Sequence, residues 1–262
     1  MRVAQLAGKV SRLPSDYFGR NVFIGASTMS REEVRRRYAI GIDTVMWGND
    51  YPHPEGTWPH TVAKLKETFH DVPVADVVGH DWGANVAWTL AAWHPDRVRT
   101  LTAVSVPHPA AYTVAYRADP EQKERSAYIR LFWQEGKAEE VLLADDARRL
   151  RRMLTGGEGE TGVHPESVDE YVAVLSAPGA LTAALNWYRA MSSDVRVDPV
   201  GVPTTYVWSD GDVAIGRTAA EACANYVTGD YRFVELPGVT HWIPEQAPDQ
   251  LASAILERVA AG

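Results

Sequence analysis

The chain has 262 residues and is 45% hydrophobic, which is enough for one sizeable α/β domain. Its net charge of −8 and pI of about 5.5 argue against nucleic acid or an anionic membrane as the main partner. Its single cysteine, Cys223, excludes an internal disulfide and favours a reducing, cytoplasmic location; we expect no signal peptide after Met1 and no membrane span.

Strands and helices alternate in the first third of the chain. The predicted strands are 21–27, 43–48 and 74–78, and the predicted helices are 31–40 and 61–69. Ser30 and Glu33 have the spacing of a capping box at the start of the first helix. This alternation predicts a parallel sheet with helices packed on it.

Residues 79–83 (GHDWG) are the most informative stretch of the chain. They lie between the strand 74–78 and a helix-like run at 84–93. A strand, a sharp turn and a helix, with an acid at the tip, form the layout of a nucleophile elbow in which Asp81 replaces the usual serine. An aspartate there attacks an electrophilic carbon and forms an alkyl-enzyme ester. The simpler alternative is a surface aspartate in a glycine-rich turn.

The second half of the chain predicts a helical block inserted between strands. After a strand at 98–105, helices are predicted at 121–135, 138–153, 165–175 and 179–191; strands return at 204–208 and 231–236, and a helix covers 248–259. We therefore predict a first half of an α/β core at 1–108, a helical lid at 109–195, and a second half of the core at 196–262.

Two residues complete a candidate triad with Asp81. Asp212 follows the strand 204–208, and His241 follows the strand 231–236. Open α/β sheets place their sites at this edge, and the order nucleophile, acid, histidine is that of α/β-hydrolases. His241 would take a proton from water, while Asp212 would fix its tautomer. Asp210 is an alternative acid, and each residue taken alone has an ordinary loop interpretation.

From about residue 75 onward, the chain resembles the epoxide hydrolase group of α/β-hydrolases. The matching segments are 77–84 (VVGHDWGA), 106–109 (VPHP), 185–189 (LNWYR), 202–204 leading to 211–212, and 241–242 (HW). The resemblance implies a mostly parallel sheet with an inserted lid, no cofactor or metal, and a small apolar electrophilic substrate. It also implies that Tyr188 reaches down from the lid and donates a hydrogen bond to the epoxide oxygen, for which a phenol protonated at neutral pH is suited. Trp82 would contribute beside the nucleophile.

Two further features of the family do not match the residues of this chain. A second lid tyrosine is expected in 128–134 (YIRLFWQ), where the family position counted from Gln134 falls on Ile129, next to Tyr128. The family's His-Gly-x-Pro segment, whose backbone helps to form the oxyanion hole, is absent. We expect the loop that begins with Gly25 and Ala26 to stand in its place.

Residues 14 to about 73 resemble instead the C-terminal end of a metal-dependent amidohydrolase. The segments are 14–18 (PSDYF), 25–27 (GAS), 46–56 (MWGNDYPHPEG) and 58–60 (WPH). Asp50 matches a metal-site aspartate of that family, but the ligands from its earlier strands are absent, so we predict no metal site. The chain thus looks like a splice near 71–76. Its atypical strands 21–27 and 43–48 are expected to take the third and fourth positions of the hydrolase sheet.

These observations favour a cofactor-free hydrolase that converts an epoxide to a diol through an ester on Asp81. A haloalkane or haloacid dehalogenase with the same triad is the nearest alternative, because the elbow alone is shared with dehalogenases. A catalytically impaired chimera is a third. The sequence leaves the oligomeric state open.

Overall fold

The computed structural model describes residues 24–26, 30–36, 45–47, 74–155, 163–191 and 195–262. The chain divides into two compact units, Met1–Pro73 and Val74–Gly262. This boundary falls within 71–76, the predicted position of the splice. The predicted helix 61–69 and the segment around Asp50 lie outside the described residues.

The first unit contains two short parallel strands. They are β1 (Ile24–Ala26) and β2 (Val45–Trp47), and α1 (Arg31–Arg35) lies between them in the chain. The two strands pair in parallel, with Ile24 opposite Val45. Each strand falls inside a predicted one. The end of the predicted helix, 37–40, is outside the described residues, and the position of β1 and β2 in the hydrolase sheet stays a prediction.

The second unit is built on a four-stranded parallel sheet. Its strands are β3 (Ala75–His80), β4 (Val98–Val104), β5 (Thr204–Gly211) and β6 (Tyr231–Thr240), and they lie side by side in chain order. All three pairings are parallel, which confirms the predicted fold class. The last two strands run further than predicted, because a bulge after Ser209 lets pairing continue until Gly211 lies opposite Thr240.

Helices connect these strands and cover both faces of the sheet. In chain order they are α2 (Trp82–Trp93), α3 (Pro109–Ala118), α4 (Pro120–Arg125), α5 (Ile129–Phe132), α6 (Lys137–Leu154), α7 (Pro165–Leu175), α8 (Ala180–Arg189), α9 (Arg217–Ala222), α10 (Ile243–Gln246) and α11 (Pro248–Ala261), with 3₁₀ turns at Pro95–Arg97 and Cys223–Tyr226. Within the described ranges, every helix is too short or too polar to cross a lipid bilayer.

Alternate residues of the central strands face two separate cores. Leu101 and Tyr206 pack with Trp88 of α2 on one face, whereas Val104 and Val207 pack with residues of α11 on the other. This alternation is the period of two expected of a strand, and it places helices on both sides of the sheet. The layers fix the carboxyl ends of β3, β5 and β6 at one edge.

The described part of the predicted lid, 109–155 and 163–191, forms helices and turns around a core of its own. The prediction of one helix over 121–135 is wrong, because α4 and α5 are separated by a turn. In that turn the N–H of Ile129 bonds to the carbonyl of Ser126, three residues back, which tightens the chain. The helix predicted over 138–153 is also interrupted, because Asp145 and the two residues after it have positive φ.

Candidate active site

Asp81 occupies a strained turn between β3 and α2. Its φ of 53° lies in the left-handed region, where residues other than glycine are rare, and its carbonyl accepts the first hydrogen bonds of α2. Only glycine fits at position 79, because a Cβ there would lie 2.2 Å from the carbonyl oxygen of Gly83. A Cβ on Gly83 would meet no described atom within 4 Å. The elbow therefore presents a half-buried carboxylate at the carboxyl edge of the sheet.

The structure brings Asp81, His241 and Asp212 into line. His241 Nδ1 lies 2.8 Å from Asp212 Oδ2, and His241 Nε2 lies 3.2 Å from Asp81 Oδ2. Asp212 has no exposed surface, and its other oxygen accepts the N–H groups of Ala214 and Ile215 at 2.7 and 2.9 Å. The competing Asp210 is exposed and accepts from the N–H of Gly238 instead. Geometry thus selects Asp212 as the partner of the histidine.

The two carboxylates determine the charge of the imidazole between them. Burial disfavours imidazolium, but the charge and hydrogen bond of Asp212 and those of Asp81 outweigh it and raise the pKa of His241. Partial burial likewise opposes ionisation of Asp81, yet the hydrogen bond and charge of His241 lower its pKa. Both ring nitrogens of His241 lie within hydrogen-bond distance of a carboxylate oxygen, which favours the protonated ring.

Two residues that the sequence analysis did not place hold the backbone of His241. Its carbonyl accepts from Ser105 Oγ and from His80 Nε2, each at 2.9 Å. Ser105 is fully buried and has a φ of 64°, so it is a second strained position beside the site. Burial lowers the pKa of His80, which favours a neutral ring with its proton on Nε2. The sequence feature that could have indicated Ser105 as a site residue is its position directly after the end of β4.

Two tyrosines of the helical segment lie near Trp82, the residue that follows the nucleophile. The rings of Tyr128 and Tyr188 lie 6.1 Å apart, and their hydroxyls interact. Burial and the charge of Asp81 raise the pKa of both phenols, so both are protonated hydrogen-bond donors. The ring of Trp82 packs edge-on against Tyr188 at 5.2 Å. Tyr128 thus lies beside Tyr188, and its role as the second lid tyrosine stays a prediction.

A shallow surface depression lies beside Tyr128. It has a volume of about 480 Å³ and is lined by Tyr128, Val213, Arg125 and two glutamates of α4. Val213 follows Asp212 directly in the chain.

The remaining predicted residues belong to the first unit. Gly25 and Ala26 lie in β1, whereas the two loop residues after them are outside the described part of the chain. Their role in an oxyanion hole stays a prediction. In the part of the chain that the structure describes, no three His, Cys, Asp or Glu side chains are grouped as metal ligands.

Comparison with known proteins gives the class first. A family model for the alpha/beta hydrolase fold matches residues 56–248, so the chain belongs to the α/β-hydrolase family. The match begins at residue 56, ahead of residue 75, where the sequence analysis places the start of the epoxide hydrolase resemblance.

Two curated relatives and one solved structure that are similar to this chain are named epoxide hydrolases. Epoxide hydrolase 3 of Xenopus tropicalis is 31% identical over 186 residues, which cover 68% of this chain and 51% of that protein. Epoxide hydrolase A of Mycobacterium tuberculosis is 30% identical over 218 residues, covering 69% of this chain and 67% of that one. An inhibitor-bound epoxide hydrolase from Bacillus megaterium superposes with a TM-score of 0.66 at 19% identity, covering 76% and 75%, and shows the shared fold. The chain spans about half the length of the first curated relatives it matches.

Proposed function

We propose that this protein is an epoxide hydrolase that opens a small apolar epoxide to a diol without a cofactor, in a reducing, cytoplasmic setting. The observation that carries the proposal is the alignment of Asp81, His241 and Asp212 near two protonated tyrosines. A carboxylate nucleophile needs an electrophilic carbon, and two nearby phenols supply donors for the oxygen that this carbon releases.

In the first step, an Asp81 oxygen attacks an epoxide carbon, and the bond from that carbon to the epoxide oxygen breaks. Tyr188 and Tyr128 donate hydrogen bonds to the developing alkoxide, which their raised pKa permits because both remain protonated at neutral pH. The alkoxide takes up a proton from solvent water, and the imidazolium of His241 releases its proton to solvent once Asp81 is esterified. The products are a hydroxyalkyl ester on Asp81 and a neutral His241.

In the second step, water hydrolyses the ester. Ester formation removes the negative charge of Asp81, which is one of the causes that raise the pKa of His241, so the neutral imidazole becomes a competent base. Its Nε2 takes a proton from water, whose oxygen attacks the Asp81 carboxyl carbon. The backbone N–H of Trp82 would stabilise the oxyanion. Collapse expels the diol alkoxide, which takes the acid proton, and restores the carboxylate and the imidazolium.

Trapping the ester tests this function. A His241→Gln variant mixed with a terminal aryl epoxide should gain the mass of one epoxide on the peptide containing Asp81, because the ester forms but is not hydrolysed. The matched control His94→Gln changes an exposed histidine at the end of α2 and should turn over like the wild type. In ¹⁸O-labelled water, a single wild-type turnover should put the label into Asp81 rather than into the diol. Label appearing only in the diol would contradict an ester.

A dehalogenase remains the second candidate because of one contact. The rings of Trp82 and Trp187 lie 5.6 Å apart beside the nucleophile, and a pair of indole N–H groups is a suitable halide site. Halide release from a haloalkane without diol formation from any epoxide would make the dehalogenase the first candidate. Failure of both reagents to modify Asp81 would favour the impaired chimera.

A further inference from the structure

The loop that carries Asp212 is held from outside by a short helix of the helical segment. We define the acid loop as residues 212–216. Gln122 of α4 has no exposed surface, and its Nε2 donates to the carbonyl of Ala214 at 2.8 Å while its Oε1 accepts the N–H of Gly216 at 2.9 Å. Its second amide hydrogen reaches Ser126 Oγ at 3.0 Å. One side chain therefore bridges two backbone groups of the acid loop.

Arg125, one turn further along α4, holds the start of the same loop. Its Nη1 donates to the backbone carbonyl of Asp212, while its Nε and Nη2 are fixed by Glu121 Oε1 at 2.9 and 2.6 Å. The Asp212 carboxylate is in turn oriented by the N–H groups of Ala214 and Ile215. The orientation of the acid thus depends on a loop backbone held by Gln122 and Arg125, together with Trp208, whose Nε1 donates to the carbonyl of Ile215 at 3.2 Å.

Building on the proposed function, we propose that Gln122 and Arg125 are positioning residues for the catalytic acid. They hold the acid loop so that Asp212 keeps His241 in the tautomer and direction needed to activate water. A methionine at 122 leaves the partly buried carbonyl of Ala214 and the buried N–H of Gly216 without their partner, so the loop must rearrange to satisfy them. Only ester hydrolysis uses His241 as a base, so we expect the second step to suffer and ester formation to be spared.

The experiment separates the two steps by rapid-quench mass spectrometry with a terminal aryl epoxide. Gln122→Met should slow ester hydrolysis about tenfold to a hundredfold, since small misplacements of a catalytic group have effects of this size. Ester formation should hardly change, so the Asp81 ester should accumulate. The matched control is Gln134→Met, because Gln134 also lies in the helical segment but donates to the carbonyl of Arg130, away from the acid loop. This control should hydrolyse the ester like the wild type.

A second measurement needs no substrate. The proton between His241 Nδ1 and Asp212 should give a low-field ¹H NMR signal that shifts or broadens in Gln122→Met and stays in Gln134→Met. Arg125→Met removes a partly exposed side chain, so it keeps the inference testable if Gln122→Met does not fold. It should slow ester hydrolysis less than Gln122→Met and move the same signal.

The outcomes distinguish this inference from the proposed function. Absence of any ester in the wild type refutes the function, whereas the NMR comparison still decides whether the two residues position Asp212. Unchanged hydrolysis and an unchanged signal in both variants would overturn the positioning role. Equal slowing of both steps would also overturn it, since that result indicates general loosening of the fold.

Discussion

The sheet edge and the helical segment hold their parts of the candidate site by different means. On the sheet, Asp81, Asp212 and His241 each follow a strand, and backbone hydrogen bonds fix the acid and the histidine. In the helical segment, Tyr128 and Tyr188 are placed by ring packing, with Phe132 4.8 Å from Tyr188. Chain order is enough to predict the three residues at the sheet edge, whereas the placement of the two tyrosines depends on helix register and packing.

The largest expected effect tests the sheet edge. Asp212→Asn should lower the rate of ester hydrolysis by about ten-thousandfold, because the amide favours the wrong imidazole tautomer, as in related triads. Asp210→Asn is the matched control: Asp210 lies in the same turn but bonds to Gly238, and the variant should retain activity. Steady-state rates of diol formation check both. Equal losses in the two variants would mean that the geometry has assigned the wrong acid.

The elbow itself offers a test on stability. Gly79→Ala should destabilise the fold by about 3 kcal/mol or more, because its Cβ would meet the backbone of Gly83 at a distance that only a shift of strand or helix relieves. Gly83→Ala adds the same methyl group where no described atom lies within 4 Å, so it should be tolerated. Urea denaturation followed by circular dichroism measures the difference. A Gly79→Ala protein as stable as Gly83→Ala would show that the strand and helix are less closely packed.

The tyrosines test the other half of the comparison. Tyr188→Phe and Tyr128→Phe should each slow ester formation by up to about a hundredfold, since each removes one donor to the alkoxide and keeps the ring. Ester hydrolysis should change little, which is the reverse of the Asp212→Asn pattern. Tyr116→Phe, at an exposed tyrosine of α3, serves as the control. Single-turnover rates check the pattern, and a normal rate for Tyr128→Phe would leave Tyr188 as the sole donor.

The sequence predicts the residues at the sheet edge better than the contacts of the helical segment. Glycines around an acid, and acid and histidine after strands, are local patterns, and they predicted the elbow and the positions of Asp212 and His241. The role of Gln122 and the strained backbone of Ser105 were not predicted, because both act through contacts with residues far away in the chain. The single helix predicted over 121–135 was wrong because a turn of three-residue hydrogen bonds before α5 interrupts it, and the pairing of Tyr128 with Tyr188 was left open because it depends on ring packing.

The smallest expected effect concerns the ion pair that fixes the helix of Tyr188. Arg189 makes two hydrogen bonds to Glu139 of α6, each 3.0 Å long, and its Nε donates to the carbonyl of Phe132. The hydrogen bond from Arg189 lowers the pKa of Glu139 from 4.5 to about 2. Glu139→Gln should therefore lower the free energy of unfolding at pH 7 by about 1–2 kcal/mol.

The pH dependence of this loss of stability shows whether the charge of Glu139 is its cause. Because the folded-state pKa lies below the ordinary value, the stabilisation is complete above pH 4.5 and declines as the pH falls toward 2. The difference between wild type and Glu139→Gln should thus shrink between pH 5 and pH 3, measured by urea denaturation at each pH. The matched control is Glu140→Gln, which breaks an exposed pair with Lys137 and should change stability by less than about 0.5 kcal/mol. A loss in Glu139→Gln that does not vary with pH would mean that Glu139 acts through packing rather than charge, and that Tyr188 is held by its aromatic neighbours alone.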